Sequence, residues 1–288
     1  MANKSRFIIA ESSIKSFFKN DSTKVYSLAQ LDQVLEDNRA NWNLPASMNV
    51  EKFTEKLTNS EILFKNVFYL EGLKANKERF LSQEASVFQV AVSLINKSYL
   101  SHYSAVFLNG LTNQVPKTIY ISFEQSKKQN INRTLEQSAI NSAFAKPQRK
   151  SANTTTFQEY TFLVHNGMYS NRSGVFTLND LPVTNIERTL IDIAVRPDYA
   201  GGVDSVLEAY RRALDKISIN KLVAILDRFN FIYPYHQPIG FYLEKAGLDA
   251  GKLRVLREKE MRYDFYLTYD MIEKDYDKGW RLYYPKGM

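Results

Sequence analysis

The order in which hydrophobic periodicity changes over the first seventy residues limits the folds open to this chain. Phe7, Ile8, Ile14, Phe17 and Phe18 recur at helical spacing until Asn20-Asp21-Ser22 supplies a stop. Lys24-Val25-Tyr26 is a short extended piece, and Ser27 reads as the N-cap of a second helix with Leu28, Leu31, Val34 and Leu35 on one side. Pro45 ends any helix that survives past Trp42. A third helix opens near Ser47 or Asn49, with Val50, Phe53 and Leu57 on one face and Glu51, Lys52, Glu55 and Lys56 on the other. Ile62 to Leu70 then reads as two β-prone runs around Lys65-Asn66, the composition of a tight hairpin.

Helix, short strand, helix, helix and hairpin is the order of a winged helix-turn-helix. In such a module one helix fits the major groove, the preceding helix braces it and the hairpin rides on the backbone. The groove-facing candidates are Ser47, Asn49, Lys52 and Lys56, approached by Arg39, Asn41 and Asn43, with Lys65 and Asn66 at the expected wing tip. Asn can bond adenine in two places, and Lys reaches guanine or phosphate. The third helix is close to neutral and the same module also docks proteins, so the pattern leaves both roles open.

A polar stretch, Lys74 to Arg79, suits a junction, and the boundary is expected near residue 80: a DNA-binding domain over 1–80 and a larger α+β domain over 81–288. In the second part, residues 84–96 and 98–110 read as helices, the latter stopped by Gly110. Strands are expected at 118–123, 159–164, 175–178 and 263–268. Helices are expected around 131–144, 185–194, 203–214, 219–229 and 237–246.

Net charge is +7, and its distribution matters more than its size. Residues 1–80 hold 12 basic and 10 acidic side chains, residues 81–160 hold 8 and 4, and residues 161–288 hold 18 and 17, so the excess lies in the middle. It comes from Lys117, Lys127, Lys128, Arg133, Lys146, Arg149 and Lys150. A solvated face and a surface for an acidic partner are both compatible with it. The chain lacks cysteine, which suits a reducing cytoplasm, and its first residues contain neither a signal-peptide core nor a membrane span.

The signatures of catalysis are missing. No Asp/Glu-x-Lys triplet exists to present a metal ligand and a charge stabiliser on one strand face; Gln125-Ser126-Lys127 replaces the acid. The only Asp-x-Asp, Asp275-Tyr276-Asp277, has no Gly-Ser turn before it and reads as a solvated loop. Gly201-Gly202 lacks the Lys-Ser/Thr of a phosphate-binding loop. His102, His165 and His236 do not have metal-ligand spacing, so neither metal nor cofactor is expected. Ser101-His102 reads as a polar cap or a satisfied buried pair, and Glu187 and Asp192 as partners for Arg188 and Arg196 in a structural ion-pair network.

Several phrases recur in a familiar order: Tyr99-Leu100-Ser101-His102-Tyr103-Ser104-Ala105 leading to Gly110-Leu111-Thr112 and Val115-Pro116-Lys117-Thr118-Ile119-Tyr120, then Ile186 to Asp192 with Arg196-Pro197-Asp198-Tyr199-Ala200-Gly201-Gly202, then Tyr233 to Gln237 with Ile239 to Gly247. Together they resemble the AbiEi family of type IV antitoxins. The resemblance covers roughly residues 80–288. It implies a repressor whose N-terminal winged helix binds operator inverted repeats, and whose C-terminal domain counteracts an AbiEii-type nucleotidyltransferase toxin without requiring a stable complex. No catalytic set transfers with it.

The sequence therefore leads to a cytoplasmic transcriptional repressor and antitoxin that is not an enzyme and has no membrane partner. Residues 47–58 would enter the groove, Arg39, Lys52, Lys56 and Lys65 would anchor phosphates, and the basic 117–150 segment would reinforce them. The alternatives are an α+β enzyme acting on nucleic acid or on the toxin, and a stand-alone DNA-binding regulator.

Overall fold

A computed structural model describes residues 5–127 and 134–288. The chain divides into two compact units: residues 1–97 with 153–162, and residues 98–152 with 163–288. The first unit thus carries on past residue 80 and takes in a later segment. The fold is mixed α+β.

In the first unit, α1 (Arg6–Asn20) buries Phe7, Ala10, Ile14 and Phe18. Ile8, grouped with these by sequence, instead points outward and is 52% exposed. It lies one residue round the helix from Phe7, on the flank of a stripe that runs through positions 7, 10, 14 and 18. After β1 (Val25–Tyr26), Ser27 and Gln30 form a reciprocal capping box that starts α2 (Leu28–Asn38). Asn49 caps α3 (Val50–Asn59), which buries Phe53, Thr54 and Leu57. Phe53 packs between Phe7 and Trp42, with ring centroids 6.3 and 5.9 Å away.

The hairpin differs from the sequence expectation. Phe64–Leu70 forms one continuous strand, β2, and Lys65-Asn66 lies near its beginning rather than at a turn. The chain reverses at Glu71–Leu73, and Lys74 adopts a left-handed φ of 47° before β3 (Ala75–Leu81). The register runs from Phe64 opposite Leu81 to Leu70 opposite Ala75. The turn forms where Gly72 permits it: a Cβ there would fall 2.1 Å from the Asn153 side-chain oxygen. Lys65-Asn66 has no glycine, and its flanking β-prone residues favour an unbroken strand. Pairing of β1 with β3 gives the sheet order β1-β3-β2. Ser86 and Gln89 close a second capping box at α4 (Val87–Ser93), shorter than the helix expected over 84–96. Arg79 ties β3 to α4 by donating to the Ser93 carbonyl, 3.0 Å from Nε.

The second unit starts with β4 (Tyr99–Leu100), where the sequence suggested a helix from residue 98. These residues pair instead with Ser122 and Ile121, and the helix α5 (His102–Leu108) begins only after Ser101. Then come β5 (Thr118–Glu124) and α6 (Gln137–Phe144). The chain passes through β6 (Thr154–Phe157) and the start of β7 (Tyr160–Gly167) in the first unit, and β7 ends in the second. The hairpin of β8 (Val175–Leu178) and β9 (Leu181–Thr184) completes a sheet whose second-unit strands run β7-β5-β4-β9-β8. The pairing of β4 with β9 is parallel and that with β5 antiparallel.

Helix α7 (Ile186–Val195), capped by Asn185, is central: Glu187 to Ile191, Ile193 and Ala194 are all buried. A 3-10 turn over Pro197–Ala200 and two left-handed glycines, Gly201 and Gly202, redirect the chain into α8 (Val203–Ala213). α9 (Ile219–Phe229), α10 (His236–Ala246) and α11 (Ala250–Arg257) follow, the last unforeseen. A small sheet of β10 (Phe265–Tyr266), β11 (Lys274–Asp277) and β12 (Leu282–Pro285) closes the unit in the order β10-β12-β11. Asp275 and Asp277, expected in a loop, sit in β11 opposite Tyr284 and Leu282; the partner strand overrides their weak β-propensity. Trp280 is fully buried in the core of this unit. Among the described residues, no helix is long and apolar enough to cross a membrane.

Candidate nucleic-acid interface

The residues singled out for DNA fall into groups of different character. Lys52 is exposed on α3 and Lys56 is half-buried one turn on; together with Pro45, Ser47, Met48, Glu55 and Asn59 they line an open concavity of about 310 Å³. The Lys52 ammonium lies 3.3 Å from the Ser47 carbonyl, and that of Lys56 sits 5.6 Å from the centre of the Phe7 ring, so each stem is laid on the protein while its charge stays at the surface. Glu51 and Glu55 share the same helix, which keeps the face close to neutral.

Asn49 is otherwise occupied. Its Oδ1 accepts the Lys52 backbone N–H at 3.1 Å as the N-cap, so the paired acceptor and donor that read adenine are not both free while α3 stays capped. Arg39 is a brace: it donates to both Glu36 carboxylate oxygens, and Nη1 reaches the Pro45 carbonyl at 2.8 Å. That geometry holds the chain between α2 and α3 and leaves little of the guanidinium for a phosphate. Asn43 is exposed at a left-handed φ of 49°, and Ser47 is exposed just before α3.

Lys65 and Asn66 are not at a tip. Lys65 pairs with Glu78 across the hairpin at 2.7 Å, and Asn66 Nδ2 donates to the Phe64 carbonyl at 3.3 Å. The cations at the actual turn are Lys74 and Lys77, which have no ion-pair partner among the described residues. Gly72, the only glycine between Phe64 and Leu81, is the sequence signal for this turn that the reading of Lys65-Asn66 as the tip passed over.

The described basic residues of the middle segment are spread over separate places along the chain. Lys117 precedes β5 and Lys127 follows it, beyond the far end of that seven-residue strand. Lys146 and Arg149 are exposed beyond α6, and Lys150 lies 3.8 Å from Asp198. Lys128 and Arg133 lie outside the described residues.

The polar residues singled out in the second unit are buried or half-buried, and each has a partner. Arg188 Nε donates to Asp192 at 2.8 Å; Glu187 bonds Lys221 at 3.0 Å, and Arg196 donates to the Arg149 carbonyl at 3.0 Å. The expected network is thus a single Arg188–Asp192 pair with two other partners recruited from distant segments. Burial outweighs Arg188 and lifts the Asp192 carboxyl above its ordinary range. Ser101 Oγ lies 2.9 Å from His102 Nδ1 and 2.7 Å from Ser122 Oγ. Burial and the nearby guanidiniums push His165 down to about 3 and His102 well below its usual value, so both imidazoles are neutral. Among the described residues no group of three or more His, Asp or Glu could hold a metal ion.

No family model matches the chain, and no curated protein matches it. Among solved structures it is similar to the RV2827C protein from Mycobacterium tuberculosis, at 13% identity and a TM-score of 0.59, over 96% of this chain and 91% of that one. At that identity the likeness speaks for a shared α+β fold along nearly the whole length.

Proposed function

We propose that the chain is a DNA-binding repressor of its own operon and the antitoxin of a type IV toxin-antitoxin pair, acting in the cytoplasm without an enzymatic step. The observation that carries the DNA-binding half is the sequence of elements α1, β1, α2, α3 and the β2–β3 hairpin, with Lys52 and Lys56 on the outward face of α3. That order is the one a winged helix-turn-helix uses, with α3 as reader and the turn at Glu71–Lys74 as wing. Ser47, Lys52 and Lys56 would meet the groove and its phosphates, Asn49 would serve as cap and Arg39 as brace, and Lys74 and Lys77 replace Lys65 and Asn66 at the wing. Because α3 is nearly neutral, specificity would come from base contacts and fit rather than from bulk attraction.

The antitoxin half rests on the AbiEi-like phrases between Tyr99 and Gly247, and the second unit would be the part that counteracts a nucleotidyltransferase toxin. The test is a two-part assay in cells: repression of a reporter driven by the DNA upstream of this gene, and rescue of growth when an adjacent nucleotidyltransferase is expressed. The reading requires repression that is lost in Lys52→Ala/Lys56→Ala while rescue persists. Loss of both functions in a folded double variant would overturn the division of labour.

A further inference from the structure

The second unit holds a cavity of about 240 Å³ that neither DNA binding nor the antitoxin reading uses. Its wall brings together side chains from five separate segments: His102, Ser122, His165, Asp192, Arg196 and Phe231. His102, His165 and Arg196 surround the Tyr199 ring, with ring centroids 5.1 and 5.8 Å away for the imidazoles and 5.4 Å for the guanidinium carbon. The two imidazoles lie 5.4 Å apart, edge to face.

These groups keep unused capacity. His102 and His165 spend only Nδ1, on Ser101 at 2.9 Å and on Ser122 at 3.4 Å. The contacts His102 Nδ1–Ser101, Ser101–Ser122 and Ser122–His165 Nδ1 share two hydroxyl protons, so one neutral imidazole donates at Nδ1 and leaves Nε2 as an acceptor, while the other carries its proton on Nε2, where it can donate. Arg196 spends Nη1 on the Arg149 carbonyl and has Nε and Nη2 left. Arg188, by contrast, commits four of its five N–H groups to Asp192, Ser170, Ser173 and Tyr99 and lies 4.2 Å over the Phe229 ring, so it supplies mainly field rather than contacts.

Asp192 supplies the opposite character. Its Oδ2 is buried without a hydrogen-bond partner, an arrangement that a donated hydroxyl would relieve. His102 also holds a left-handed φ of 50° at the first residue of α5. Such a conformation in a residue with a side chain persists only where its surroundings enforce it, and it concentrates at ligand sites.

We propose that this cavity binds a small phosphate monoester, with its phosphoryl oxygens on Arg196 and on the one Nε2–H that His102 and His165 hold between them, and with a hydroxyl of the same molecule donated to Asp192 Oδ2. Two guanidiniums against one carboxylate leave the lining net cationic, which selects an anion. Three converging donor nitrogens, Arg196 Nε and Nη2 and one imidazole Nε2, match three terminal phosphoryl oxygens better than the two of a carboxylate. At ~30 Å³ per water, the space equals about eight waters, more than a bare phosphate ion fills. Phe231 and Phe229 give the remainder of the ligand an apolar border.

The test is calorimetric titration of the full chain with ribose 5-phosphate, inorganic phosphate and ribose, followed by NMR of the imidazole Cε1–H signals. Saturable binding is expected for ribose 5-phosphate, weaker binding for inorganic phosphate and none for ribose, with the His102 and His165 signals moving and that of His236 unmoved. Arg196→Gln should weaken the ester by roughly tenfold or more. Should that variant not fold, His165→Gln reads the same contact from the opposite wall. No saturable heat with ribose 5-phosphate, equal affinity for the ester and inorganic phosphate, or unchanged affinity in both folded variants would overturn the proposal.

Discussion

Asp192 Oδ1 accepts the Nε–H of Arg188 at 2.8 Å, one turn away along α7, with only 7% of the Arg188 side chain and 12% of the Asp192 side chain exposed. Helix α7 lies against α5, α8 and α9, so this pair is enclosed by the packing that organises the second unit. Breaking a buried pair from one side leaves the other charge uncompensated. Arg188→Met should therefore destabilise the chain by about 3–5 kcal/mol, and Arg188→Met/Asp192→Leu should recover part of that loss. Urea unfolding followed by far-UV circular dichroism measures both, and additive losses would show that the two side chains are not coupled.

His165 links stability to pH. Its folded-state value is held down to about 3 against an ordinary 6.5. The unfolded chain therefore takes up the proton first on acidification. The stability that the neutral imidazole contributes is complete above pH 6.5 and is lost as pH falls toward about 3, at about 1.4 kcal/mol per unit. His165→Gln should remove that share of the slope, so its unfolding free energy should fall less steeply than that of the parent between pH 6.5 and about 5. Parallel slopes would contradict the placement of His165 in a dry, cation-flanked wall.

Gly240 is required by a neighbour rather than by its backbone angles. A Cβ at this position would lie 2.2 Å from carbons of the fully buried Trp280 ring. Gly240→Ala should cost about 1–3 kcal/mol through overpacking, against the gain in helix propensity an alanine normally brings to α10. Thermal unfolding reads the sign directly, and a raised midpoint would show that Trp280 can move aside.

Much of the first unit was legible because its signals are local. Ser27 and Gln30 lie three residues apart, and the i, i+4 spacing of Phe53 and Leu57 names the buried face of α3 without any partner. The hairpin was misplaced because Lys65-Asn66 carries a weak turn signal, whereas Gly72 marks the point where the backbone must pass close to Asn153, a residue 81 positions later. Tyr99-Leu100 read as helix since its strand partners, Ser122 and Val183, lie far along the chain. The cavity was not legible for the same reason. Arg188 and Asp192 announce themselves as an i, i+4 pair, but nothing local brings His102, His165 and Arg196 around Tyr199.

At the hairpin, the partners of each lysine separate its roles. Lys65 is paired with Glu78, whereas Lys74 and Lys77 stand at the turn and just beyond it. Lys74→Ala/Lys77→Ala should weaken DNA binding and lower the slope of log affinity against log salt by up to about two, while Lys65→Ala leaves both nearly unchanged. Fluorescence anisotropy across a salt series distinguishes the two variants. A larger effect from Lys65→Ala would return the wing contact to the start of β2.

The central claim is sequence-specific DNA binding through α3, and one measurement addresses it most directly: the affinity of the full chain for the DNA upstream of its own gene against a scrambled duplex of equal length, at fixed near-physiological salt. The account requires preferential binding of the upstream DNA, with Lys52→Ala/Lys56→Ala weakening it and the double variant remaining folded. Equal affinity for the two duplexes, or a double variant that binds like the parent, would contradict it.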